Sequence, residues 1–274
     1  MKKLLLLSAS LFIFYIICKG MIYLFFYGDL FKVHSFHIFY GHPNEAIVAK
    51  LATKDAAIVE PTAFTKEQTS NLQEEGVRLF GYVSLMQLEN WNEKLKKKVI
   101  PSDYAKQNGN TIYIKEWDTY VMNISEKHYR DILLWKIKSE IATKELDGIF
   151  FDTVDDLDYY FRDDPVLQNK MRKGYSLLLD EIKQKYPELL IIQNRGFDSY
   201  KTVSRKKVDG LLWEGFSEKD IKSSEWAKNW LTYLKKEQRW GHVRVMTVVT
   251  DEASKKQSKK EKFPAFMRTG DTYQ

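Results

Sequence analysis

Cysteine is almost absent. Cys18 is the only one in 274 residues, so no disulfide is available to staple the chain. The fold must rest on its hydrophobic core, which this length allows. Histidine is scarce as well. His34, His37, His42, His128 and His242 show no metal-ligand spacing, and only His42 lies near a strand end, where a lone imidazole reads as a surface or core group. There is no Gly-x-Ser-x-Gly elbow for Ser–His–Asp chemistry. No glycine-rich loop follows any strand-like run, so a nucleotide site is unsupported, and no internal repeat is present. No metal, disulfide or cofactor is therefore expected.

Excess charge of one sign is also slight. The formal net charge is +6, but setting aside Lys2, Lys3 and Lys19 leaves 40 basic against 37 acidic side chains. The surplus gathers at 94–98 and 255–262, runs that read as solvated helix faces or loops, with contact to an anionic envelope as the lesser reading. Nucleic acid is not an expected partner. Long apolar runs occur only at the start. Lys2 and Lys3 precede Leu4 to Ile17, Cys18-Lys19-Gly20 interrupts, and Met21 to Tyr27 resumes. Residues 1–27 are expected to be an uncleaved single-span anchor, with a cleaved signal peptide or a lipoprotein as alternatives. Each of these exports residues 28–274 as an extracytoplasmic domain, membrane-tethered or secreted.

What remains is an alternation of strand and helix. Strand-like runs stand at 36–40, 56–60, 77–83, 119–123, 147–152, 189–194, 209–214 and 243–249, with a short ninth piece at 263–267. Thr65 and Gln68 spell a capping box for a helix ending at Gly76. Ser125 is a candidate cap for the next helix, and 165–186 carries a helical apolar stripe stopped by Pro187. This pattern predicts a (β/α)8 barrel rather than an open doubly wound sheet, with 84–118 as a loop-plus-helix excursion over its mouth.

Barrels place their chemistry at strand C-termini. Asp147-Gly148-Ile149-Phe150-Phe151-Asp152 and Asp209-Gly210-Leu211-Leu212-Trp213-Glu214 share one design: each starts with Asp-Gly, runs apolar and ends in a carboxylate. The converging ends supply Tyr40, Glu60, Tyr82, Gln87, Asn123, Asp152, Asn194, Glu214 and Asp251, an acidic, amidic and aromatic set. Cleaving a glycosidic bond needs one acid to protonate a poor leaving group and a second carboxylate to stabilise or attack the oxocarbenium-like carbon. Asp152 and Glu214 are the expected pair. A helix cap at Asp152 and a rim ion pair at Glu214 are the structural alternatives. Asp155, Asp156 and Asp158 read as cap and loop residues that make one side of the cleft negative, which suits a cationic amino sugar. Trp213 is either core or a sugar platform.

These residues resemble a known group. Phe39-Tyr40-Gly41, Ile58-Val59-Glu60-Pro61, Gly81-Tyr82-Val83-Ser84, Trp117 through Asn123, the two Asp-Gly strands and Gln193-Asn194 follow, in order, the pattern of the endo-α-1,4-polygalactosaminidase superfamily. Its members include the hydrolase domain of the bacterial Pel exopolysaccharide-processing protein. The resemblance covers about residues 34–270. It implies a metal-free extracellular barrel cleaving galactosamine and N-acetylgalactosamine polymers, with catalytic carboxylates at Asp152 and Glu214. Substrate contacts are expected from Tyr40, Glu60, Tyr82, Gln87, Asn123, Asp155, Asn194 and Trp213. The implied partners are a polysaccharide substrate, the membrane through residues 1–27, and exopolysaccharide export machinery. Two positions depart from the pattern: Gln87 stands where an acid is frequent, and Asn123 where Asp is usual. Both keep hydrogen-bonding shape and lose charge. Their loss of charge motivates the competing reading, a catalytically weak barrel that binds or guides an exopolysaccharide during secretion.

Overall fold

The computed structural model describes residues 29–270, 272 and 273. The expected anchor or signal at 1–27 lies outside the described residues, and no described helix is long and apolar enough to cross a membrane. Eight strands form one sheet in the order β1 (Phe36–Phe39), β2 (Ala56–Val59), β3 (Arg78–Ser84), β4 (Gly148–Asp152), β5 (Leu190–Asn194), β6 (Gly210–Glu214), β7 (Arg244–Val249) and β8 (Ala265–Met267). All neighbours are parallel. Parallel pairing demands crossovers. These carry α1 (Glu45–Ala52), α2 (Lys66–Glu74), α3 (Lys127–Glu140), α4 (Pro165–Lys185), α5 (Glu225–Arg239) and α6 (Glu252–Lys260), while β5 reaches β6 through a short helical turn that continues into a π-helical one. The ring of Phe266 in β8 meets Phe36 and His37 of β1 at 6.1 and 4.7 Å, and the Tyr40 N–H donates to the Tyr273 carbonyl. The sheet is a nearly closed (β/α)8 barrel.

Local chemistry explains the helix ends. Thr65 and Gln68 form the capping box, and Gly76 leaves the helix at φ 88°. Asp164 caps α4 through the Leu167 N–H ahead of Pro165. The expected Ser125 cap is different: the α3 cap position is Glu126, without a side-chain bond, and the Ser125 hydroxyl donates to Asn123.

Side-chain alternation sorts the strands into two layers. Phe36, Ile38, Ile58, Phe80, Phe150, Ile192, Leu212, Met246, Val248 and Phe266 fill the barrel interior, and Leu30 and Val33 plug its floor. Residues of opposite parity, such as Ile149, Phe151, Leu211 and Trp213, join the core under the helices. The Asp-Gly pairs belong to this packing. A Cβ on Gly148 would lie 2.3 Å from the Leu190 carbonyl, and one on Gly210 would lie 2.6 Å from Leu30. The aspartates accept backbone N–H groups of the preceding strand: Asp147 from Leu79 and Asp209 from Ile191, while Asp55 does the same for Ser35. At the floor these carboxylates satisfy strand ends, so only those at the mouth remain for chemistry.

One strand assignment is corrected. Residues 119–123 are not the fourth barrel strand, because β3 pairs directly with β4. Thr119–Val121 instead lies antiparallel between Gln87–Glu89 and Tyr113–Ile114, in a small sheet within the excursion. The short piece at 263–267 supplies β8.

Candidate active site

Parity carries Tyr40, Tyr82, Asp152, Asn194 and Glu214 inward at the mouth. The three strand ends share one backbone device. Asp152, Asn194 and Glu214 are each followed by a residue at positive φ: Thr153 at 61°, Arg195 at 48° and Gly215 at 72°. Such a break turns the chain away abruptly and leaves the last strand side chain aimed into the mouth. It is unstrained for glycine and costly for a β-branched threonine, a cost that functional sites concentrate. Thr153 is held there by its hydroxyl, which donates to the Asp152 carbonyl and accepts from the Met86 N–H at 2.9 Å.

Asn194 joins the two acids. Its Nδ2 donates to Asp152 Oδ1 at 2.8 Å and to Glu214 Oε2 at 2.9 Å. Two oxygens bonded to one nitrogen at those lengths stand no more than 5.7 Å apart. The Asn194 carbonyl oxygen is buried without a protein partner. Asp152 also accepts the Thr153 N–H at 2.8 Å and is hydrogen-bonded to Tyr82. Burial pushes the Asp152 carboxyl up to about 6, the bond from Asn194 opposes this, and the charge of Glu214 adds to it. Glu214 Oε1 accepts from the Tyr273 hydroxyl and faces Arg268 at 3.5 Å. The Tyr273 ring in turn stacks edgewise on Tyr40, which contacts Tyr82 at 4.7 Å, giving an aromatic wall under the pair. Burial holds all three phenols above their ordinary range, so they stand as neutral donors.

From the pair an open cleft of about 360 Å³ runs past Arg195, Asp155 and Asp156 to Tyr159, Tyr160, Ile114 and Trp117. Trp117 and Tyr159 are 64% and 59% exposed there, with Arg162 lying 5.1 Å from the Tyr159 ring, and such exposed rings suit a flat partner. Asp155 faces Arg195 at 3.4 Å and is raised by burial against that cation. Asp156 is buried and pushed up to about 7, chiefly by burial, with Gln87 Nε2 donating to it at 2.8 Å. The Gln87 carbonyl oxygen accepts from Thr119 at 2.9 Å, so both ends of that amide are engaged.

Several expected substrate contacts sit elsewhere. Glu60 accepts from the N–H and hydroxyl of Thr62, closing a local turn. Asn123 accepts from the N–H and hydroxyl of Ser125 and donates to the Ser102 carbonyl, away from the cleft, because its segment follows the small antiparallel sheet. Trp213 is 4% exposed and packs on Phe197, Phe216 and Trp226 beneath α5, so strand parity takes it out of the mouth and makes it core. Asp251 is the cap of α6. Conversely, Thr153, Arg195, Trp117 and Tyr159 line the cleft and Arg268 and Tyr273 reach Glu214, and the strand-end pattern does not mark them. The exposed rings had a signal, since Tyr159-Tyr160 directly follows the carboxylate cluster. Tyr273 had none, because it arrives from the tail beyond β8. Among the described residues no group of histidine, cysteine or carboxylate side chains has metal-holding geometry.

The profile of glycoside-hydrolase family GH114 matches residues 31–256. Among solved structures, the glycoside hydrolase domain of PelA from Pseudomonas aeruginosa superposes with a TM-score of 0.69 at 16% identity, over 86% of this chain and 94% of that one. Ega3 of Aspergillus fumigatus, in complex with galactosamine, gives 0.63 at 14% identity over 85% and 89%. The α-galactosidase TtGalA of Thermus thermophilus gives 0.56 at 10% identity over 86% and 58%. At these identities the likeness is one of fold. No functionally curated protein sequence matches the chain.

Proposed function

The chain belongs to glycoside-hydrolase family GH114, and from that premise we propose that it cleaves a galactosamine- or N-acetylgalactosamine-containing polysaccharide outside the cytoplasm with Asp152 and Glu214. The observation that carries the reading is the bridged pair: two carboxylates at the ends of β4 and β6, joined through one amide nitrogen from β5 between them. The carboxyl groups of Glu116, Asp155 and Asp156 along the cleft offer acceptors for an amino-sugar substrate, and the galactosamine bound in the structurally similar Ega3 supports the same reading. The exposed rings of Trp117 and Tyr159 support binding of a polymer rather than a single sugar. The weak-barrel alternative drew on the amides at 87 and 123. Neither is hydrogen-bonded to Asp152 or Glu214, and the bridged pair itself is intact.

In this mechanism Asp152 attacks the anomeric carbon while Glu214 protonates the departing oxygen; water then releases the sugar with Glu214 acting as base. The Thr153 N–H and Asn194 hold the nucleophile still, and its carboxyl, at about 6, is ionised at neutral pH. The two oxygens that share the Asn194 nitrogen stand no more than 5.7 Å apart, a proximity that favours the retaining arrangement, with carboxyl groups about 5–5.5 Å apart, over the inverting one at about 6.5–9.5 Å. Incubation with partially deacetylated poly-galactosamine, followed by NMR of the first-formed reducing ends, tests this. Products with retained α configuration are expected; β products would overturn the arrangement. An aryl oligosaccharide with a good leaving group separates the roles. Glu214→Gln should still release the aryl group, whereas Asp152→Asn should not.

A further inference from the structure

We propose that the barrel floor is a docking face for an anionic lipid bilayer, which would hold the catalytic mouth away from the membrane surface. A wide depression of about 760 Å³ opens on the floor, beside the N-terminal ends of β1, β7 and β8. Phe31 and His34 line it, together with Arg239, Lys259, Lys260 and Lys262. A second floor depression, next to the start of β6, is lined by Arg205, Lys206, Lys207 and His242. The carboxylates in the two are already matched: Glu261 with Lys235 at 2.6 Å, and Asp209 with Lys183 at 2.9 Å. Lys206, Lys259, Lys260 and Lys262 make no ion pair among the described residues, so the face keeps a net positive surplus.

Charge alone would suit any polyanion, and two further observations select a bilayer. Between Arg239 of the first depression and His242 of the second stands Trp240, 64% exposed, on a turn that Gly241 closes at φ 74°. An exposed indole between two basic depressions is suited to the headgroup region, where its apolar body and N–H are both satisfied. The described chain also begins on this face: Leu30 plugs the floor and Phe31 lines the depression. In the sequence these residues directly follow the apolar runs Leu4 to Ile17 and Met21 to Tyr27. The unpaired lysines and Trp240 thus lie where a bilayer holding that segment would meet the barrel. Glu214, Asp152 and the cleft lie at the opposite end of the strands. The inference concerns orientation and holds whatever polymer the cleft accepts.

Full-length protein in phosphatidylcholine nanodiscs, with and without phosphatidylglycerol, provides the test by amide hydrogen exchange. Segments 235–243 and 256–262 should exchange about tenfold more slowly when phosphatidylglycerol is present, with 113–120 at the mouth unchanged. The combined Lys206→Glu, Lys259→Glu, Lys260→Glu and Lys262→Glu variant should lose that difference at an unaltered thermal midpoint. Equal exchange in the two lipids would overturn the proposal, as would protection of the mouth instead of the floor. If the chain does not insert, vesicles of the same two compositions replace the discs; sedimentation only with phosphatidylglycerol is expected, and none with either overturns the idea. Stronger retention by soluble polyglycerol phosphate than by the vesicles would reassign the face to an anionic polymer.

Discussion

Asp152 gives up stability to be where it is. Burial lifts its carboxyl from 3.8 to about 6, so the folded protein takes up that proton more readily than the unfolded chain does. The associated stability is complete below pH 4 and is lost as pH rises through 6. Asp152→Asn should therefore raise stability by up to about 3 kcal/mol at pH 8 and by nothing near pH 4, while lowering hydrolysis about a hundredfold or more. Thermal unfolding across that range, read beside turnover, checks both halves; a neutral-pH loss of stability would contradict the desolvation account. Gln87 is read differently from its neighbours. The sequence places it among the substrate contacts, and in the structure its amide is spent on Asp156 and Thr119. Gln87→Glu would set an acceptor against Asp156, whose carboxyl already stands at about 7. Two acids sharing one proton lose it as pH rises, so the variant should be destabilised by about 1–3 kcal/mol, with the deficit growing between pH 6 and 8. A pH-independent melting temperature would sink this.

Helix α4 shows how packing overrides propensity at the scale of an element. Gly174 sits in its interior, where alanine would favour the helix by about 1 kcal/mol. A Cβ there would lie 2.2 Å from the Ile124 carbonyl, which belongs to the turn leading into α3. The backbone must give way, so Gly174→Ala should destabilise the protein by about 1–3 kcal/mol despite the better helix former. Urea denaturation with an unchanged m-value would measure it, and a stabilised variant would show that α4 and the turn can part without cost. The excursion between β3 and α3 is the other informative element. It was expected over the mouth and does line the cleft, through Ile114 and Trp117. Its small antiparallel sheet was not legible, because strands of two or three residues carry too few alternations to distinguish from loop.

For the whole molecule the absence of cysteine pairs and histidine clusters leads to one expectation: chelators and reductants should leave the melting temperature unchanged. A fall on adding EDTA would reveal a metal contribution. The barrel itself was written into the chain. Alternating apolar strands and capped helices point to a (β/α)8 barrel without long-range information, although 119–123 reads as a barrel strand in place of 265–267, and the repeated Asp-Gly-apolar-carboxylate run places Asp152 and Glu214 at matching heights of β4 and β6. Local period dictates those features, because a side chain two residues from an inward one also points inward. Partners distant in sequence were decided only on folding. β3 pairs with β4 across the whole excursion, which strips Asn123 of its strand end. Parity and the packing of α5 put Trp213 in the core. The tail beyond β8 returns to β1 and brings Tyr273 onto Glu214. Each depends on which surfaces meet once the barrel closes, and no periodicity within a single segment encodes that meeting.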